Sequence, residues 1–598
     1  MIYMFNPGLK LPKQEIISDH YQGILPDVLS VQNWLNKRVP GDRNALLKTL
    51  IQLNRVQCEP EVRVTLMSIM DKEIHKELDY LFKKTERVSF PLSEEYQSLI
   101  DIMQHLLLES SLAYQIVITD IVRDDNYINQ YLGSLLPEAL YKALFYLSRL
   151  LVERYEFYLA EPVYIWQELN QLYLLTERIG AQHEIMHSKN SIQHIYLKIV
   201  ILRLLDPYRL MRLEARKIHL LLEKWVAHCD IIGFANREPE QHFVVDLLAD
   251  KAPHCFDGRT DGIKNKLEYE GRIIDMEPLH IFIDEYLSKM EQDQHQQSSN
   301  YQSRIYYEML QRIKNELKNF NDRSEERVLS GNEIKLVSGL RACHHFISHQ
   351  KTFDPQREIH AWQEQKLQEV VQSQEQDNSE INLINLLEEE KLLNKKNPMG
   401  ELQSVNPFMR EVDIVGDEWE QIYRTSVVQA HLEESQDHLT QKMQEHNWKQ
   451  RNESSHGMLL VSRNDIEMPI AVGMLVAYRL TVEKAYCLAS VKWLRINPHK
   501  GMAIGVHLIA VQSRPIAVKG EEGVGAGGQY HRAFLIAENN TRDRNNHLHL
   551  IVPAGIYDID SILKVWHKQK LNRVKIENIL EATDSFERMA FKVIKNKK

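Results

Sequence analysis

The segment from Asn452 to Lys519 constrains the fold of this chain more than any other. It consists of short runs rich in β-branched and aromatic residues, separated by Asn, Asp, Pro and Gly. The runs are MLLVS, LVAYRL, KAYCLASVKWLRIN and GMAIGVHLIA. None has the three- and four-residue period of an amphipathic helix, whereas short strands joined by turns are typical of antiparallel barrels. We therefore predict a small antiparallel β-barrel.

Three features follow one another along this segment. Asn452, Ser454 and Gly457 form an Asn-x-Ser-x-x-Gly pattern, Trp493 lies in a later run, and Gly505-Val506-His507-Leu508 lies in the last one. Their order resembles the PilZ domain, a bacterial barrel whose family carries [Asp/Asn]-x-Ser-x-x-Gly, then a Trp-containing strand, then a Gly-Val-x-Leu strand. The resemblance implies a domain that binds cyclic di-GMP, and it does not imply catalysis.

The chemistry of the motif suits such a ligand. An Asn amide offers a donor and an acceptor to a guanine edge or a phosphate, and a Ser hydroxyl can do either. A glycine has no Cβ, so the backbone can approach a flat base closely. The ligand-binding residues expected from this barrel are Asn452, Ser454, Gly457, Arg451 and Trp493. The alternative is an ordinary Asn/Ser/Gly turn that caps a strand.

The PilZ family also carries an Arg-x-x-x-Arg pair shortly before the polar motif, and this chain departs from that pattern. Arg323 and Arg327 have the required spacing and precede the strand-like run EIKLVSGL, but they lie far upstream of Asn452. Either a long insert interrupts a split barrel, or the arginine arm is missing and ligand binding is lost. In the first case Arg323 and Arg327 join the ligand site, because a guanidinium fork matches guanine and phosphate. Otherwise they form an exposed helix end.

Helical periodicity dominates the N-terminal part. Between Asp42 and Ile232, apolar residues recur at three- and four-residue steps, and the breaks between periodic segments are short. Helices joined by short loops form bundles or arrays of helix hairpins. The predicted fold class is therefore multidomain α+β, with an N-terminal all-α bundle or helix-hairpin array, a C-terminal small antiparallel β-barrel (PilZ-like) and a further β module.

Composition shifts along the chain suggest six parts. The stretch 351–441 is polar and poor in aromatic residues, so it is expected to be flexible. The predicted parts are a helical domain (1–235), a small α/β segment (236–300), a helix and the first strand of a split barrel (301–350), a flexible polar insert (351–441), the PilZ-like barrel (442–519) and a C-terminal β module (520–598).

Charge and cysteine usage limit the classes of function. A net charge of −10 argues against a dedicated DNA-binding protein. Five cysteines without a CxxC pair fit a reducing compartment. The N-terminus lacks the features of a signal peptide, so a cytoplasmic location is expected. His254-Cys255 and Cys343-His344-His345 lack the ligand spacing of a metal site, which makes a metal-dependent hydrolase the least favoured hypothesis.

The sequence thus predicts a bacterial cytoplasmic cyclic di-GMP effector rather than an enzyme. Its helical domain is expected to pass the second-messenger state to a protein partner, without nucleic acid, metal or a transmembrane segment. The alternative is a protein-interaction scaffold whose degenerate barrel no longer binds nucleotide.

Overall fold

The computed structural model describes most of the chain outside one long internal gap. The described residues are 9–17, 21, 23–86, 88, 90–186, 190–234, 242–256, 270–294, 301–318, 328–356, 443–454, 456–462, 468–482, 485–497, 501–521, 529–537, 548–567 and 570–594. They belong to two compact units. The first comprises Met1–Ser299, Ser303–Gly339 and Met443–Val511, and the second comprises Asn300–Gln302, Leu340–Lys442 and Gln512–Lys598.

The first unit begins with helices, which confirms the predicted helical N-terminal part. Among the described residues these helices are α1 Val28–Lys37, α2 Arg43–Asn54, α3 Pro60–Thr85, α4 Glu94–Arg123, α5 Asp125–Tyr131, α6 Leu135–Glu156, α7 Ile165–Arg178, α8 Ile192–Leu204 and α9 Glu214–Trp225. Side chains of Asp27, Asp42 and Ser191 accept hydrogen bonds from backbone N–H groups in the first turns of α1, α2 and α8. These caps satisfy donors that a helix start otherwise leaves unpaired.

Helices α4, α6 and α8 form the centre of this bundle. Their apolar side chains are almost entirely buried, and α8 is apolar around most of its circumference, as expected of a helix surrounded by protein. Helix α4 is long and apolar enough to cross a membrane, yet 72% of its most apolar 18-residue window is buried inside the protein. A buried core helix meets the same criteria of length and composition, so α4 is weak evidence for a membrane span.

A small antiparallel sheet follows the helices. Its strands are β1 Asp230–Gly233, β2 Phe243–Asp246, β3 His254–Cys255 and β4 Gly271–Asp275, in the order β1-β4-β2-β3. Helices α10 Glu277–Gln294 and α11 Tyr301–Lys318 come next in the chain.

The first barrel is the predicted antiparallel one. Its strands are β5 Val328–Leu329, β6 Glu333–Ser338, β7 His446–Glu453, β8 Gly457–Ser462, β9 Leu475–Leu480, β10 Cys487–Asn497 and β11 Gly501–Ala510. Their order is β5-β7-β6-β9-β10-β11-β8, and β7 also pairs with β8. The pairing of β7 with β8 closes strands β6 to β11 into a ring. Strand β5 is not part of this ring and pairs with β7.

Strand β6 reaches this barrel from far upstream in the sequence. Ile334 lies opposite Trp448 of β7 on one side and opposite Leu480 of β9 on the other. The run after Arg327 therefore supplies a barrel strand and does not pair with the helical part. The predicted flexible insert, 351–441, falls outside the described residues except for its first six.

The second unit contains helix α12 Leu340–Ile347 and a closed six-stranded barrel. The barrel strands are β12 Ser513–Gly520, β13 His531–Ala537, β14 Leu548–Pro553, β15 Ile562–His567, β16 Lys570–Ala582 and β17 Phe586–Ile594, in the order β12-β13-β14-β17-β16-β15. Apolar side chains fill its interior, including Val518, Leu550, Ile576 and Met589. This barrel is the further β module that the sequence predicted.

Two predicted boundaries differ from the structure. The sequence predicts that residues 513–519 belong to the first barrel, but β12 pairs with β13 and β15 of the second. Only two residues separate β11 from β12, so no change of composition marks the boundary. The sequence also predicts that residues 340–350 belong with the first barrel. However, α12 belongs to the second unit, where His344 Nε2 lies 3.2 Å from the carbonyl oxygen of Ile516.

Candidate functional site

The Asn-x-Ser-x-x-Gly motif forms the turn between β7 and β8. The backbone N–H of Ser454 donates to the carbonyl oxygen of Gly457 at 2.8 Å, and Ser454 Oγ donates to the same oxygen at 3.4 Å. Asn452 is the last residue but one of β7 and lies opposite Leu459 of β8. The motif therefore forms a turn, which agrees with the alternative interpretation. Whether it also forms a ligand site depends on the residues around it.

Asn452 and Trp493 belong to one row of residues across four neighbouring strands. Asn452 lies opposite Leu459, Leu459 opposite Gly505, and Gly505 opposite Trp493. Residues directly opposite one another share a face of the sheet. The neighbours of this row that point into the barrel are fully buried, namely Leu460, Leu494 and Ile504. The row therefore lies on the outer face, and at about 4.8 Å per strand it spans roughly 14 Å.

The next row of the same face contains Gly457 and His507. These two residues lie directly opposite each other on β8 and β11. His507 is exposed, whereas the adjacent Val506 is buried in the barrel. The side chain of His507 is therefore on the face that carries Asn452 and Gly457. Sequence reasoning missed this residue, although the alternation within Gly-Val-His-Leu carried the signal.

Two glycines of this face are sites of close approach. A Cβ atom at position 457 would lie 3.0 Å from the carbonyl oxygen of Val506. A Cβ atom at position 505 would lie 1.9 Å from Nε1 of Trp493. The indole of Trp493 therefore occupies the space above Gly505 and extends the outer face toward the motif.

Arg451 is placed on this face by a β-bulge. The register between β7 and β8 passes from Gln450 opposite Leu460 to Asn452 opposite Leu459, so Arg451 is the extra residue. A bulge increases the local twist and changes the direction of the side chain. Arg451 is exposed and directly precedes Asn452 in the chain.

Gln450 is a positioning residue that sequence reasoning missed. Its side chain is almost completely buried, and its oxygen accepts hydrogen bonds from Ser330 Oγ at 2.8 Å and Asn332 Nδ2 at 3.0 Å. Its amide nitrogen donates to Glu453 Oε2 at 2.5 Å. Gln450 thereby fixes the link between β5 and β6 to the strand that carries the motif.

Strand β5 brings the upstream chain to the motif. Val328 lies opposite Glu453, and Leu329 lies opposite Asn452. Both apolar side chains are unusually exposed, at 66% and 87%. The predicted site residues Arg323 and Arg327 themselves lie outside the described residues.

The structure describes no metal centre around the histidines and cysteines. Among the residues that it covers, no group of three or more His, Cys, Asp or Glu side chains could hold a metal ion. Burial lowers the pKa of His344 to about 4, and its ring contacts a backbone carbonyl instead.

Gly505→Ala is expected to lower the free energy of unfolding by about 1–3 kcal/mol. The new methyl group would overlap the indole of Trp493, and the glycine has no left-handed backbone conformation that would itself penalise alanine. Urea denaturation of the full chain measures the effect. In a Trp493→Ala background the same substitution should cost much less. Equal costs in both backgrounds would show that something other than the indole requires this glycine.

Comparisons with known proteins match three consecutive parts of the chain. Residues 31–237 match the N-terminal domain of the cyclic-di-GMP receptor FimW, residues 242–515 match its middle PilZ domain, and residues 516–594 match its C-terminal beta-barrel domain. The chain is 20% identical to the cyclic-di-GMP receptor FimW of Pseudomonas aeruginosa over 499 residues, which cover 82% of this chain and 78% of that protein. No solved structure matches.

Proposed function

Since this chain belongs to the PilZ-domain proteins and shares the three-part order of the FimW family, we propose that it is a non-catalytic cyclic di-GMP effector of the bacterial cytoplasm. Its ligand site is the outer face of the first barrel around the turn between β7 and β8. A protein partner bound by the helical part receives the signal.

The observation that carries this proposal is the way in which the first barrel is completed. Strands β5 and β6 precede the long insert in sequence, yet β5 lies directly beside Asn452. Arg327 is the residue that precedes Val328 in the sequence, and Val328 is the partner of Glu453. A long insert costs little closure entropy, which grows only with the logarithm of its length. An arginine arm followed by β5 would therefore reach the motif.

The proposed roles follow from side-chain chemistry. Guanidinium groups of Arg323 and Arg327 would bind guanine edges and phosphate through paired N–H donors. The Asn452 amide would supply a donor and an acceptor, and Arg451 would add a positive charge beside it. Gly457 would allow close approach of a base. The indole of Trp493 would close the far end of the face.

A direct contact between this barrel and the helices supports the proposed signal route. The N–H of Ile496 in β10 donates to the carbonyl oxygen of Tyr158, just after α6, at 2.8 Å. The neighbouring Arg495 guanidinium lies 5.1 Å from the ring centroid of Tyr208. Trp493 precedes these residues on the same strand. A ligand that moves this end of β10 would therefore act directly on the helical part.

Titration of the purified full chain with cyclic di-GMP in a calorimeter tests the proposal. We expect saturable binding, weakened at least about tenfold by Asn452→Ala, since a lost hydrogen bond to a charged group costs roughly 1.5–3 kcal/mol. Asn447→Ala is the matched control, because Asn447 is an exposed residue on the same strand. Absence of binding by folded wild-type protein would contradict the proposal and favour the scaffold hypothesis.

A further inference from the structure

Two histidines border the proposed ligand face without contributing to the barrel interior. His456 lies in the turn between β7 and β8, and His507 lies on β11 directly opposite Gly457. Both side chains are exposed. The carbonyl oxygen of His456 accepts the N–H of Leu508 at 2.8 Å, so the backbone holds the two residues together.

Their rings are nearly parallel. The ring centroids are 6.2 Å apart, and the ring planes differ by 23°. Because Gly457 has no side chain, the space over β8 beside His507 is not filled by its cross-strand neighbour. The flat faces of the two imidazole rings therefore lie beside a stretch of β8 backbone that has no side chain at Gly457.

We propose that His507, supported by His456, is a stacking platform for a purine base of the bound ligand, an inference that rests on the proposed function. Bases stack on aromatic side chains, including histidine, through the flat faces of both rings. Arg451 and Asn452 would bind the polar edges and phosphates of the nucleotide, which leaves the faces of its bases to be covered. His507 is on the same face as Asn452 and two residue pairs further along the strands.

A purely structural role explains these residues less well. The inward-facing neighbour Val506 already fills the barrel at this level, and it is only 3% exposed. Two exposed rings remove little apolar surface from water, so their contact with each other adds little to stability.

The test compares His507→Ala with His507→Phe by calorimetric titration of the full chain with cyclic di-GMP. Stacking of a base on an aromatic ring predicts that alanine weakens binding by about fivefold to a hundredfold. Phenylalanine keeps the flat ring but removes both nitrogens, so it should stay within about threefold of wild type. His105→Ala is the matched control, because His105 is an exposed histidine on α4 whose ring nitrogen Nδ1 lies 2.8 Å from the carbonyl oxygen of Asp101 on the same helix.

The outcomes separate this inference from the proposed function. If His507→Ala binds like wild type while Asn452→Ala is impaired, the stacking platform is wrong and the site stands. If phenylalanine loses as much affinity as alanine, the imidazole nitrogens rather than the ring face make the contact, and the inference also fails. Absence of cyclic di-GMP binding by wild-type protein would contradict both the stacking platform and the proposed function. Equal thermal unfolding midpoints must accompany the binding data, since they show that each variant is folded.

Discussion

Glu153→Ala is expected to destabilise the helical part by about 3–5 kcal/mol, because it would leave the largely buried Arg216 without its closest counter-ion. Glu153 lies on α6 and is only 1% exposed. Both of its carboxylate oxygens accept hydrogen bonds from Arg216 on α9, at 3.2 and 3.1 Å from Nε. The guanidinium also lies 5.0 Å from the ring centroid of Phe82.

The two charges depend on each other. Burial alone would lower the pKa of Arg216, but the carboxylates of Glu153 and Glu156 raise it above its ordinary value. Arg216 therefore remains charged in the folded protein. Without Glu153, that charge would stay buried and lose its closest counter-ion, which costs more than the pair contributes when intact.

Far-UV circular dichroism during urea denaturation measures the effect, since most helix lies in this part. Asp284→Ala is the control, because Asp284 pairs with Lys314 and Lys318 on the protein surface. Exposed pairs contribute roughly 0–1 kcal/mol. The double substitution Glu153→Leu with Arg216→Leu should recover much of the loss, since both charges are then absent. If the Glu153 and Asp284 substitutions destabilise equally, the pair is not acting as a buried one.

This ion pair is also an example of a contact that the sequence alone does not predict. The three- and four-residue spacing of apolar residues in α6 predicts that one face of this helix is buried. Glu153 lies on that face, where a charged side chain is not expected. Its partner lies 63 residues later on another helix. Helical periodicity is local and can be recognised in one segment, whereas the pairing of two distant charges depends on how the helices pack.

The first barrel likewise has features that the sequence predicts and features that it does not. Short β-branched and aromatic runs separated by turn residues between 452 and 519 were enough to predict the barrel, whereas an ordinary turn at the Asn-x-Ser-x-x-Gly motif was only the alternative interpretation. The end of that barrel could not be predicted, because β12 continues the same pattern two residues later in a different barrel. The contact of Trp493 with Gly505 and the hydrogen bonds of Gln450 depend on cross-strand register, which the sequence does not specify by itself.

The arginine pair is the part of the proposed site with the largest expected effect on binding. Each charge-assisted hydrogen bond to the ligand contributes about 1.5–3 kcal/mol, so Arg323→Ala or Arg327→Ala should weaken cyclic di-GMP binding by roughly ten- to a hundredfold. Together they should weaken it by at least about a hundredfold, because the two losses add when the arginines bind different groups of the ligand.

Lysine substitutions separate geometry from charge. A lysine keeps the positive charge but lacks the planar fork that binds guanine or phosphate through two parallel bonds. We therefore expect Arg327→Lys to retain only part of the affinity. If charge alone mattered, lysine would bind like arginine, and added salt would weaken both variants in parallel, because salt screens exposed charges. Titration of each variant at two salt concentrations distinguishes the two cases.

The control for net charge is the pair Arg542→Ala with Arg544→Ala, which removes two positive charges from the segment between β13 and β14 of the second unit. This variant should bind like wild type. If the substitutions at Arg323 and Arg327 have no more effect than the control, while Asn452→Ala still impairs binding, then the chain before β5 does not contribute to the site. In that case the barrel would hold its ligand through β7, β8 and β11 alone, and Arg451 would be the arginine closest to the motif.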